Sequence, residues 1–103
     1  MDSGVNQTVT DYARQIKKQY PVKAMYLYGS HAKGTAKEHS DIDIAVVIEP
    51  MGDKEYYNIF GELFNIAADF NANIEPNLLI DDGEYCKYSF LAEVMETGRL
   101  LEV

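Results

Sequence analysis

Two aspartates one residue apart, Asp41 and Asp43, open the most strand-like stretch of the chain, DIDIAVVI. Side chains alternate along a strand, so both carboxylates project from one face, with α-carbons roughly 6.5 Å apart at about 3.3 Å per residue. Ile42 and Ile44 then point the other way, toward a core. Most such pairs are solvated edge residues. Here, however, two like charges stand side by side while the residues beyond them are thoroughly apolar, and a cation removes that conflict. Mg²⁺ suits the position, because it takes one or two carboxylates and completes its shell with waters and substrate phosphates. Twelve residues before Asp41, Gly29-Ser30 closes the short apolar stretch AMYLY. Glycine lets backbone approach a phosphate closely, free N–H groups at a helix start attract an anion, and the Ser30 hydroxyl adds a donor. Gly-Ser is common in ordinary turns, but Lys33 and Gly34 add a cation and a flexible residue beside it. Together the two features describe a cradle for a triphosphate next to a divalent cation.

The elements that must position these groups are legible from periodicity. Val5, Val9, Tyr12, Ala13 and Ile16 fall on one face of a helix over residues 5–19, which Pro21 ends. Ala24 to Tyr28 reads as a strand, and SHAKGTAK, residues 30–37, as two turns of helix capped by Ser30. Asp41 to Ile48 is the second strand. Residues 54–70 carry Tyr56, Ile59, Phe60, Leu63, Phe64, Ala67 and Phe70 at helical spacing. Asn73 to Ile80 reads as a third strand, in which Pro76 favours an edge or a bulge. DDGEY then predicts a turn, and a last helix runs from about Tyr88 to Glu96, stopped by Gly98 as a left-handed residue. Arg99 to Val103 can add a terminal strand.

The spacing of Gly29-Ser30, ten residues and Asp41-x-Asp43 resembles the signature of the nucleotidyltransferase superfamily that includes DNA polymerase beta and the aminoglycoside nucleotidyltransferases. The chain is most similar to the minimal nucleotidyltransferases, in length and in the order of its elements over nearly its whole extent. The resemblance implies an α/β (α+β) fold, a small mixed β-sheet flanked by helices in the order α-β-α-β-α-β-α, forming a single domain over residues 1–103. It also implies that Gly29 and Ser30, with Lys33 beside them, hold the triphosphate of ATP or another NTP, and that Asp41 and Asp43 bind Mg²⁺, two ions being expected with substrate. Relatives commonly carry a third carboxylate on a later strand. Either Glu75 supplies it, or Asn77, facing the same side, stands in its place and the third acid is missing.

By the same resemblance the reaction is transfer of a nucleotidyl group onto a hydroxyl. Minimal nucleotidyltransferases are often paired with helical HEPN-type ribonuclease toxins, and some adenylylate a tyrosine of the toxin, so this chain resembles the antitoxin of such a pair. Two other readings stand beside it: a partner-binding module that keeps the fold without catalysis, and a subunit that modifies a small molecule such as an aminoglycoside.

The bulk composition agrees with one compact domain. The chain has 103 residues, 47% hydrophobic and 25% charged, enough for one modest core. Seventeen acidic against nine basic residues give a net charge of -8, which repels phosphate backbones, so direct nucleic-acid binding is not expected. A basic protein partner or a divalent cation fits that balance, and a homo-oligomer is compatible with it. The lone Cys86 forms no internal disulfide and reads as a small hydrophobe. No apolar run is long enough to cross a bilayer, and MDSGVNQTVT lacks the pattern of a signal peptide, so a cytoplasmic location is expected. His31 and His39 flank the motif as phosphate contacts or surface residues, and among the eight tyrosines Tyr28 is placed best to stack a nucleobase.

Overall fold

A computed structural model of the chain describes residues 3–83 and 89–103. Helix α1 (Ser3–Gln19) buries Val9, Tyr12, Ala13 and Ile16 completely, the face set by the sequence spacing, with Lys17 and Lys18 in the last turn where the helix dipole favours cations. Strand β1 (Val22–Tyr28) begins two residues earlier than its apolar stretch suggests and carries an irregularity between Val22 and Ala24. A single helical turn, α2 (Ser30–Lys33), leads to β2 (Ile42–Ile48). Helix α3 (Asp53–Phe70) has Asp53 and Glu55 in its first turn and returns the chain to β3 (Ile74–Ile80). Helix α4 (Phe90–Thr97) and the two-residue β4 (Arg99–Leu100) complete the chain.

Among the described residues, four strands form one mixed sheet in the order β3-β2-β1-β4. β1 lies antiparallel to β2 and β4, and β2 lies parallel to β3 with α3 as the crossover. Pro76 is accommodated because β3 is an edge strand, as its missing N–H requires. One face of the sheet presents Ile42, Ile44, Val46 and Ile48 with Met25, Leu27, Ile74 and Leu78 to α1 and α3, and this layer is the main core. Two tyrosines bolt it together: the buried Tyr12 hydroxyl donates to the Leu63 carbonyl at 2.9 Å, and Tyr56 donates to Leu78 at 2.7 Å. Ala45 and Val47 face the other side, where α4 buries Leu91, Ala92 and Val94 against β1. Among the described residues, no helix is long and apolar enough to cross a membrane.

Two local expectations are corrected. The segment SHAKGTAK forms one helical turn rather than two, with Gly29 rather than Ser30 at the cap, because Gly34 takes the left-handed conformation (φ 75°) and closes the helix on the Ser30 carbonyl. Gly98 is extended (φ -81°, ψ 169°), not left-handed. Its glycine answers a steric need, since a β-carbon there would meet the Val94 carbonyl oxygen at 2.5 Å and that of Leu27 at 3.1 Å. The last helix begins at Phe90, and the expectations for Glu84, Tyr85, Cys86 and Tyr88 lie outside the described residues. The start of the DDGEY turn is seen in the Gly83 N–H bonded to Asp81 Oδ1 at 2.8 Å, with Gly83 at φ 85°.

Candidate nucleotide and metal site

Chain reversal at residues 37–40 delivers the aspartates to the sheet. The Lys37 N–H donates to Ser40 Oγ at 2.8 Å and the Ser40 N–H returns to the Lys37 carbonyl at 3.1 Å, a local side-chain turn that serine favours. The Ile42 N–H then bonds to the Asn73 carbonyl at 2.8 Å and starts the parallel ladder with β3. Asp41 therefore stands exposed one residue before the strand, while Asp43 is half-buried inside it.

Strand register sets out the remaining groups in a row. Tyr28 pairs with Asp43 across β1 and β2, and Asp43 pairs with Glu75 across β2 and β3. Gly29 follows Tyr28 directly at φ 72°, ψ -151°, a conformation open essentially to glycine alone. A β-carbon placed on it would lie 2.3 Å from Asp43 Oδ2. The glycine turn is thus packed against the aspartate, and any side chain there would have to displace the carboxylate. Of the residues that stood as alternatives for a third acid, Glu75 sits opposite Asp43, whereas Asn77 lies two positions further and donates its Nδ2 hydrogen to the Tyr28 hydroxyl at 2.7 Å.

Titration behaviour reflects the crowding of charge. Burial pushes the Asp43 carboxyl above the ordinary carboxylate range, the neighbouring Asp41 charge adds to this, and His31 opposes it. Glu75 is also pushed up, chiefly by the charge of Asp41, then by burial, by Asp43 and by a hydrogen bond with Asp41. Like charges that raise one another are what a divalent cation would relieve. Among the described residues no set of three or more His, Cys, Asp or Glu side chains is arranged to hold a metal unaided. Two aspartates with coordination left over for phosphate oxygens and water fit Mg²⁺, which is bound in that way.

His31 is half-buried beside Asp43 rather than a surface residue, and both its ring nitrogens are shielded without a hydrogen-bond partner. His39 is exposed, as the surface reading expects. Ser30 and Ala32 are half-buried in α2, and Lys33 is exposed at its end. With one turn only, α2 has little macrodipole, so any hold on an anion falls to the N–H groups of its first turn, which have no intrahelical partner. The Tyr28–Asn77 bond and the position of Phe90 against Tyr28 were not foreseeable: both depend on register between distant segments, and no local pattern encodes them.

Comparison with solved structures places this architecture among nucleotidyltransferase folds. The structure of "a putative nucleotidyltransferase from Sulfolobus solfataricus" superposes with a TM-score of 0.61 at 18% identity, covering 97% of this chain and 86% of that one. A toxin-antitoxin structure with AMP-PNP superposes at 0.55 and 21% identity over 93% of this chain and 71% of that one. The chain belongs to the polymerase beta nucleotidyltransferase family, whose model matches residues 11–102. Among curated relatives, "Putative protein adenylyltransferase MJ0604" of Methanocaldococcus jannaschii is 29% identical over 101 residues, 92% of this chain and 95% of that protein. "Putative protein adenylyltransferase MJ1215" of the same organism is 39% identical over 44 residues; that match spans 43% of this chain and about half, 51%, of the relative.

Proposed function

We propose that this chain transfers a nucleotidyl group, AMP from ATP, onto a hydroxyl of a protein partner, and that the partner is a helical HEPN-type toxin which the transfer silences. The observation that supports the chemistry is the close approach of Gly29 to Asp43, where a β-carbon on the glycine would lie 2.3 Å from Asp43 Oδ2; a phosphate held at that turn would lie beside the carboxylates. The relatives named for protein adenylylation and the toxin-antitoxin likeness support the acceptor class. In this reading Asp41 and Asp43 hold Mg²⁺, two ions when substrate is bound. When bound, the metal supplies charge neutralisation for the incoming and leaving oxygens of an in-line displacement.

The chain's own residues do the rest. Gly29 lets the backbone lie against the phosphates, the Ser30 hydroxyl donates to them, and Lys33 adds positive charge at the mouth. Glu75, opposite Asp43 across β2 and β3, receives the proton of the acceptor hydroxyl. The acceptor oxygen bonds to the α-phosphorus, the bond to the bridging oxygen breaks, and pyrophosphate leaves. Positioning and electrostatics carry the acceleration.

The test is incubation of the chain and its co-purified partner with ATP labelled at the α-phosphate. Label should pass to the partner with release of pyrophosphate, and Asp41→Asn or Asp43→Asn should lower the rate at least about a hundredfold while the fold survives. Transfer that persists in both variants would remove the site assignment. A second reading, a non-catalytic antitoxin of the same fold, is favoured by the toxin-antitoxin likeness taken alone; stoichiometric binding without pyrophosphate release would identify it.

A further inference from the structure

The sheet face that carries the carboxylates also carries an aromatic ring which the core does not enclose. Phe90, the first residue of α4, is 45% exposed, and its ring meets Tyr28 edge-on with centroids 5.4 Å apart at 80°. Tyr28 pairs with Asp43 and is followed at once by Gly29. Its hydroxyl, fixed by Asn77 at 2.7 Å, spans from β1 across β2 to β3, so the ring cannot swing away. The start of α4 is held as firmly. Ser89 caps it by accepting the Ala92 N–H at 3.1 Å, and Leu91 and Ala92 are buried immediately behind Phe90. The exposed Tyr57 and Phe64, by contrast, lie on α3 in the layer on the other side of the sheet.

We infer that Phe90, backed by Tyr28, is the platform on which the nucleobase of the nucleoside triphosphate stacks. This inference rests on the nucleotidyl-transfer reading and adds to it the base subsite. A nucleotide whose phosphates lie along Gly29 and Ser30 has its base one ribose away, and Tyr28 ties that turn to Phe90. Tyr28 itself, half-buried and engaged at both its ring and its hydroxyl, acts as the support rather than the stacking surface. Stacking on an exposed π-face needs no hydrogen-bond readout, so the platform accepts any base and contributes affinity rather than discrimination.

Calorimetry on the full chain with Mg²⁺ tests it, using two ligands: an ATP analogue with a methylene between the α and β phosphorus, and inorganic tripolyphosphate. The wild-type chain is expected to bind the analogue more tightly than tripolyphosphate. Phe90→Leu, which keeps an apolar helix-forming residue, should weaken the analogue about tenfold and leave tripolyphosphate unchanged. Phe90→Trp should retain the wild-type preference. Equal affinity of the wild-type chain for both ligands, or an unchanged analogue affinity in Phe90→Leu, would overturn the platform while leaving phosphate binding in place, and a parallel loss of both ligands in Phe90→Leu would overturn it by showing that the residue supports the phosphate site and not a base subsite. A wild-type chain that binds neither ligand would overturn the nucleotidyl-transfer reading and the platform with it.

Discussion

At the scale of single residues, the proposed site turns on a glycine whose replacement would be strained and would push against Asp43. Gly29 combines a positive φ with a neighbour, Asp43 Oδ2, standing where its β-carbon would go. Gly34 shares the positive φ but has open space around it. The two glycines therefore separate backbone strain from loss of the site. Gly34→Ala should cost about 1–2 kcal/mol of stability, the ordinary left-handed penalty, and leave Mg·ATP affinity within a factor of about two. Gly29→Ala should cost more in strain, up to about 3 kcal/mol, because its ψ of -151° lies outside the left-handed helical region, and should in addition displace Asp43, reducing Mg·ATP affinity more than about tenfold. Thermal melts and titration calorimetry on both variants check the pair of outcomes, and equal nucleotide affinity in the two would show that the contact between Gly29 and Asp43 does not shape nucleotide binding.

At the scale of elements, periodic helices and strands were legible because their signal is local, and what failed was whatever depended on distant backbone. The stripes of α1 and α3, the apolar run of β2 and the edge position of Pro76 all follow from spacing within a dozen or so residues. The candidate site was legible in part for the same reason: Gly29, Asp41 and Asp43 lie within fifteen residues of one another, and their shared face follows from strand alternation. Whether Glu75 or Asn77 faces the pair was not legible, since it depends on how β3 registers against β2. Gly98 is the instructive miss. Read as a left-handed stop, it is instead a point where α4 and β1 approach so closely that two carbonyl oxygens fill the space of a side chain. Gly98→Ala should therefore destabilise by about 1–3 kcal/mol through overpacking, although its φ suits alanine. On a domain of this size that is a fall of about 4–8 °C in Tm per kcal/mol, read by calorimetry. An unchanged melting point would mean that the last turn of α4 and β1 both shift away from the added methyl without cost.

For the whole molecule, the question is how a chain of net charge -8 tolerates a row of carboxylates on its sheet. Asp43 and Glu75 are both held above their ordinary values of 3.8 and 4.5, so the folded chain keeps protons that the unfolded chain has already released. Wherever the folded state binds more protons, raising pH lowers stability. The contribution of this pair is therefore fully favourable below the ordinary values, is lost as pH climbs through the raised ones, and leaves a standing penalty at neutral pH. Asp43→Asn removes one charge from the row. It should match the wild-type chain near pH 3 and exceed it in stability at pH 7, the gain commonly found when a functional site is relaxed. Mg²⁺ relieves the same repulsion, so adding it at pH 7 should raise the wild-type midpoint and narrow the gap to the variant. Urea unfolding at the two pH values, with and without Mg²⁺, reads all four quantities. A variant less stable than wild type at pH 7 would show that the carboxylate row stabilises the fold, and that the site was not built at its expense.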